Sequence, residues 1–389
     1  RLEKRSLPLI SLKDFPYLEK MLENYFDAVP EICVKRPRIV TEYHLENNLL
    51  GRDRISILHK AKAYRRFLET PNPIVRHTYA IGKDLERFDV RDSSPFAGST
   101  TTKFKGVPLY PELIGLMLWP ELLTVQNRHP NPFHISKAEA EELNLEIFPC
   151  WMHDSMLEIV RRRHYGRNQG PLGKDEVQLL QNLVFFLTSK ALCISHTIPD
   201  FSKAVYKGLR YMIGEAEEKR TKCTSDSQEE FYHAISEVLQ GLITYARNLA
   251  RGARELAKKE TDLSLKKNLL EIADIYEWVP EYPARTFREG LTTVWLCWIA
   301  VHLENPNVGL SLGRLDQLLH PLYDADIKSG RLQKVDDAVE LVCYLWLKIG
   351  DHVPTMTEMA EQLFGGTGSN QAITVGGVDP YLLPASARR

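Results

Sequence analysis

Trp295-Leu296-Cys297-Trp298-Ile299-Ala300-Val301-His302-Leu303-Glu304, then Asn305-Pro306-Asn307, then Val308-Gly309-Leu310-Ser311-Leu312-Gly313-Arg314, is where the architecture becomes legible. The block from Glu281 to Glu304 starts beyond Pro280 and next to Pro283 and is apolar on most faces, so a helix here must be covered nearly all round. Pro306 forbids its continuation, because proline lacks a backbone N–H and constrains the residue before it. The seven residues that follow are short and β-like. A buried helix feeding an enclosed strand is the building unit of a helix-wrapped sheet, and the fold class is therefore α/β.

Working outward, the same grammar recurs. Residues Gln178 to Ile194 are apolar nearly all round and predict a second buried helix. Gln228 to Lys259 predict a long amphipathic helix with Arg and Lys at its C-terminal end, as the helix dipole favours. Val335 to Ile349 predict another. The β-branched run Ile373-Thr374-Val375, ahead of Gly376-Gly377, predicts a buried strand in one sheet with Val308–Ser311, both covered by helices. Upstream, the first sixty residues read as helical, with Leu18, Met21, Leu22 and Tyr25 on one stripe and Ile55, Leu58, Ala61 and Phe67 continuing a similar period. Eight prolines between Pro71 and Pro132 predict extended segments and ordered loops. Ser136 with Glu139 three residues later spells a capping box, opening a helix expected to stop at Phe148, before Pro149. With no repeat and no linker, residues 1–389 are expected to form one domain, with an atypical tail at 381–389.

Composition excludes several partner classes. The chain has 389 residues, of which 43% are hydrophobic, and 50 Lys and Arg oppose 51 Asp and Glu. A net charge of −1 leaves no basic field for nucleic acid or anionic membrane, so a small polar substrate is the expected partner. The longest apolar stretch, Val294 to Val301, is far short of the about 20 residues a membrane span needs. Six cysteines at unpatterned spacings point to a reducing, cytoplasmic compartment. The opening Arg1–Arg5 has no initiator Met and no signal core, and a fragment is expected.

Candidate chemistry is sparse. Gly365-Gly366-Thr367-Gly368-Ser369-Asn370 has neither P-loop nor dinucleotide spacing and reads as a turn. The 12 histidines and six cysteines spell no metal motif, so no metal is expected. His196, in Ser195-His196-Thr197-Ile198-Pro199-Asp200 at the end of the 178–194 run, sits where a loop commonly carries function or where a histidine is simply satisfied in the interior. Arg314, just after the β-like run, either clamps a carboxylate or pairs with Asp316 or Glu304 as scaffolding. No spacing names a nucleophile or an acid/base pair.

A series of short words gives a resemblance. In order they are Arg36-Pro37-Arg38-Ile39-Val40-Thr41-Glu42, Pro108-Leu109-Tyr110-Pro111-Glu112, Pro132-Phe133-His134-Ile135-Ser136 and Glu146-Ile147-Phe148-Pro149. They continue with His196-Thr197-Ile198-Pro199-Asp200, Lys207-Gly208-Leu209, Thr286-Phe287-Arg288-Glu289-Gly290, His302 to Gln317, Pro321-Leu322-Tyr323 and Asn370 to Asp379. The series resembles the N-terminal half of glycyl radical enzymes, in the pyruvate formate-lyase-like branch that includes diol dehydratases and choline lyase. The resemblance implies half of a ten-stranded α/β barrel wrapped by helices, and radical cleavage of a C–X or C–C bond, formate acetyltransferase-like, in a small polar metabolite.

It also implies a partner, a separate activating enzyme that uses S-adenosylmethionine and an iron–sulfur cluster, while the chain itself binds no cofactor. In the family a glycine radical passes to a cysteine, and both loops follow the strand matching Ile373–Val375. No catalytic residue is therefore assigned to this chain, which is expected to be inactive alone. It is expected to homodimerise or to pair with a C-terminal half; the alternative is a non-catalytic remnant. His196 matches a position where diol-acting members present a histidine to substrate. Val308 and Gly309 stand where those members offer His and Ser. His196 and Arg314 are the candidate substrate-binding residues.

Overall fold

The computed structural model describes residues 15–52, 55–70, 94–113, 115–129, 131–156, 158–159, 197–306, 309–350, 352–355, 357–358, 362 and 372–373. Two parallel strand pairs lie at its centre. Strand β1 (Glu31–Cys33) runs beside β2 (Gly106–Pro108) with Ile32 opposite Val107, and single parallel bridges widen the pair, His134 beside Glu31 and His352 beside Gly106. Strand β3 (Ser311–Gly313) runs beside β4 (Ala372–Ile373), with Ser311 opposite Ala372. On β3's other side Ser311 N donates to Thr197 O at 2.9 Å. The segments around 311 and 373 thus share one sheet, as their β-branched and glycine-flanked character predicts. Parallel neighbours require long crossovers, and helices supply them.

The N-terminal helices are α1 (Pro16–Asp27), α2 (Lys35–Glu46) and α3 (Ile57–Glu69). After β2 come 3₁₀ turns at Gly115–Glu121 and Val125–Asn127, then α4 (Lys137–Glu142) and α5 (Phe148–Trp151). The C-terminal body contains α6 (Ser202–Lys207), α7 (Leu209–Arg220), α8 (Asp226–Lys259), α9 (Leu263–Trp278), α10 (Phe287–Glu304), α11 (Leu315–Lys328) and α12 (Val335–Gly350). Helix α8 packs on α3, α7 and α9. Helix α10 is covered almost all round, with Val294, Trp295, Leu296, Trp298 and Ile299 at 1% exposure or less. At about 1.5–3 kcal/mol per large apolar side chain, this helix contributes heavily to cohesion. A second, smaller core gathers Ile32, Val107, Phe133, Phe148 and Trp151 around β1 and β2. No helix among the described residues is long and apolar enough to cross a membrane.

Two boundaries differ from the sequence reading. The helix expected from Glu281 begins at Phe287, because Thr286 Oγ1 accepts from Glu289 N at 3.1 Å and the Glu289 carboxylate reaches back to Arg285 N at 2.6 Å. The N–H of Phe287 is also received by the buried Asp326 carboxylate of α11 at 2.8 Å. The helix expected to stop before Pro149 instead passes it. The Ser136–Glu139 capping box is present, and a π-turn at Leu143–Ile147 then lets Pro149 enter the first turn of α5. The predicted 178–194 helix, His196, Val308, residues 365–370, Thr374, Val375 and the 381–389 tail lie outside the described residues.

Within the proline-rich insert, residues 94–101 form an extended strap buried along its whole length. Backbone groups buried without a sheet must find side-chain partners. Tyr276 Oη accepts from Ala97 N at 2.8 Å and donates to Ala97 O at 2.9 Å. Tyr245 Oη does the same for Ser99, at 3.1 and 3.0 Å, and Trp295 Nε1 adds a bond to Ala97 O at 2.8 Å. Gly98 fits between them because a Cβ there would stand 2.8 Å from Tyr245 Oη. Changing Tyr276 to Phe leaves Ala97 N–H buried and unpaired. The expected cost is about 1–3 kcal/mol, read as a lower urea midpoint with an unchanged slope.

Candidate functional site

The β3–β4 sheet positions Arg314, one of the two residues singled out by sequence. Gly313 ends β3 at φ 67°, and a Cβ on it would meet Ile198 Cγ2 at 3.1 Å, so the Thr197–Ile198 segment lies directly against β3. His196 is outside the described residues, but its chain neighbour Thr197 is the edge partner of Ser311. Arg314 leads into α11 and grips Asp316 with a bidentate fork, Nε to Oδ1 at 2.8 Å and Nη2 to Oδ2 at 2.7 Å. Those hydrogen bonds hold the Asp316 carboxyl below the usual carboxylate range. Of the scaffolding partners considered, Asp316 rather than Glu304 is the one engaged. The pair also places a carboxylate in the first turn of α11, where the helix dipole favours it.

A second polar centre was visible to sequence reading only as three separate words in the family series, those of Arg36, Glu112 and His302. Arg36, at 5% exposure, donates from Nε to Leu303 O at 2.8 Å and from Nη1 to Leu109 O at 3.1 Å. Its Nη1 and Nη2 also grip the two oxygens of Glu112, and its guanidinium lies 4.2 Å over the Tyr110 ring. Tyr110 Oη in turn donates to His302 O. One side chain thus ties α2, the chain leaving β2 and the last turn of α10. Burial disfavours its charge, but the Glu112 carboxylate more than offsets this, and its pKa lies above the ordinary arginine value.

Three of the described cysteines carry thiols that burial holds unreactive. Burial pushes the Cys297 thiol up to about 12, and Cys343 and Cys150 also lie above the usual value because of burial. Such thiols stay protonated and unreactive at neutral pH. Cys33 lies in β1, buried, with Sγ 3.4 Å from Thr102 Oγ1. Among the described residues no three His, Cys, Asp or Glu side chains come together to hold a metal ion. A surface hollow of about 390 Å³ between α3 and α8 is lined by Lys62, Arg65, Arg66, Glu69, Thr70 and Glu237. Its arginines are already engaged, Arg65 with Glu69 and Glu237 and Arg66 with Glu46, so the hollow is an ion-paired seam.

The chain matches a family described as pyruvate formate lyase-like over residues 14–385. The chain belongs to this family, among the glycyl radical enzymes. It is 31% identical over 285 residues to an isethionate sulfite-lyase of Nitratidesulfovibrio vulgaris, covering 70% of this chain and 34% of that protein. It is 24% identical over 344 residues to a trans-4-hydroxy-L-proline dehydratase of Clostridioides difficile, covering 87% and 40%. A glycyl radical enzyme from Archaeoglobus fulgidus superposes with a TM-score of 0.78 at 27% identity, over 94% of this chain and 44% of that one. The chain spans about two fifths or less of the length of the two curated relatives it matches here.

Proposed function

We propose that this chain supplies the N-terminal half-barrel of a glycyl radical lyase or dehydratase, whose complete barrel has ten strands and which breaks a C–X or C–C bond of a small polar metabolite. The observation that carries this reading is the parallel β3–β4 pair with Thr197 against it, enclosed by α10 and α11. It makes one wall of a site that excludes solvent, as carbon and thiyl radicals require. In this reading His196, the residue before Thr197 in sequence, hydrogen-bonds substrate. Arg314 keeps the wall in register through Asp316, leaving its fork occupied in the resting site. The radical-bearing glycine and relaying cysteine belong to family loops that follow the strand corresponding to β4. The described cysteines are all free thiols, which fits a reducing cytoplasm, and the buried thiol of Cys297 is unsuited to the relay.

The proposal extends to partners. An activating enzyme that uses S-adenosylmethionine generates the radical, and the half-barrel either homodimerises or pairs with a C-terminal half. The test is anaerobic incubation with such an activating enzyme, reductant and S-adenosylmethionine, followed by electron paramagnetic resonance. The expected spectrum of this chain alone has no glycine-centred doublet, and lyase turnover is absent. A doublet from this chain alone would sink the reading.

A further inference from the structure

Beside the Arg36 clamp runs a column of stacked groups joining α10 to the end of α12. Lys348 Nζ lies 5.3 Å from the centre of the Trp295 ring. Trp295 stacks on Trp298 at 5.2 Å, and Trp298 on His302 at 3.8 Å. His302 meets His352 edge-on at 4.6 Å. Both histidines are buried, at 0% and 1% exposure. His302 Nδ1 is 2.8 Å from Trp298 O, and a carbonyl only accepts, so Nδ1 carries the proton in the neutral ring. His302 Nε2 then presents a bare lone pair, buried and without a hydrogen-bond partner among the described residues. His352 Nδ1 is 3.0 Å from Thr100 Oγ1 in the buried strap. The residue after it, Val353, donates its N–H to Gly106 O at 3.0 Å, on the edge of β2.

We infer that the His302–His352 pair is an acid-labile latch: as neutral imidazoles the two rings hold the 352–355 segment between α10, the strap and β2, and protonation releases that segment. The charged groups described around the pair offer an added proton no counter-charge. From α12, Lys348 stands at the far end of the column. From α2, Arg36 binds the carbonyl next to His302 and is matched by Glu112. The Tyr110 hydroxyl engages only His302 O, and the strap contributes the uncharged Thr100. Neither histidine pairs with a described carboxylate. A first proton therefore enters a desolvated site without a counter-charge, and a second meets it at 4.6 Å.

Burial holds His302 down to about 4 and, together with the neighbouring His302, holds His352 well below the ordinary value. Released histidines titrate near 6.5. The latch is thus fully effective above about pH 6.5 and weakens as pH falls toward about 4. For His302 alone, lowering the pH from 7 to 5 favours the released state roughly twenty-fold. His352 adds to this.

Hydrogen exchange of the intact chain at pH 7 and 5, corrected for intrinsic rates, tests the latch at the peptide carrying Val353. The expected result is an acceleration of about twenty-fold or more there, with α8 around Leu249 unchanged. His352→Gln retains a partner for Thr100 without titrating, and His302→Phe retains the stack on Trp298; each is expected to lower the acceleration to the share of the histidine that remains. Unchanged protection at Val353, an equal acceleration in α8, or full acceleration retained in His352→Gln overturns the proposal. If His302→Phe does not fold, His352→Gln decides.

Discussion

Replacing Arg36 by leucine is expected to remove about 3–5 kcal/mol of stability, the range for breaking a buried ion pair from one side. Leucine fills part of the volume but leaves the Leu303 and Leu109 carbonyls and the Glu112 carboxylate without their donor. Arg36→Lys keeps a charge but loses the planar fork, and should recover only part of the loss. Leucine at 36 combined with glutamine at 112 should cost less than the two single changes added, because the stranded carboxylate is then gone. Urea titration of the four proteins measures this coupling. An Arg36→Leu loss under about 1 kcal/mol would show that the clamp is dispensable.

The second large effect is at Gly208. It joins α6 to α7 at φ 78°, ψ 162°, a region essentially closed to side chains. A Cβ there would stand 2.4 Å from Glu281 O and 2.7 Å from Tyr282 C, both of them backbone atoms. Nor can that backbone retreat easily, since Leu209 N bonds Pro280 O at 2.8 Å and Arg210 N bonds Glu281 O at 3.0 Å. Glu281 is itself gripped by Arg210 and Arg247. Gly208→Ala is therefore expected to cost about 4 kcal/mol or more, among the largest single-residue effects. Thermal melting checks it: a variant melting within about 2 °C of the parent would show that the 280–282 loop yields freely.

The elements that sequence periodicity revealed are those whose burial pattern is decisive. Helix α8 was legible because Ile235, Leu239, Leu242 and Leu249 repeat on one stripe ahead of a basic end, while its Ser225 cap went unread. Helix α10 was legible because it is apolar all round, yet its start was misplaced by six residues, since Glu281 to Thr286 carry charge and proline signals compatible with either state. The decisive signal was Thr286 with Glu289, a capping spelling that was present in the sequence and not used. Helix α11 was hidden by Pro321, which sits inside it. Helix α2 lies in the stretch read as helical, but its bounds were not legible because its buried face includes Arg36, Thr41 and His44 and breaks the apolar stripe. The same property conceals the polar centre: Arg36, Glu112, His302 and His352 come from four separate stretches of chain and converge only in three dimensions. Arg314 and Asp316, two residues apart, could be paired from sequence because proximity was guaranteed by the chain.

The buried strap carries a consequence in time. Its partners lie far downstream, Tyr245 at 146 residues from Ser99 and Trp295 at 198 residues from Ala97. A ribosome adding about 5–20 residues per second takes roughly 10–40 s to deliver Trp295 after Ala97 has emerged. Through that interval the strap has neither a sheet nor its aromatic partners, and its amides remain bonded to water. Local helices such as α2 and α3 are free to form at once, whereas the central packing must wait for the last of three helices. Synthesis rate and chaperone occupancy during that delay therefore bear on how much of this chain reaches the native state.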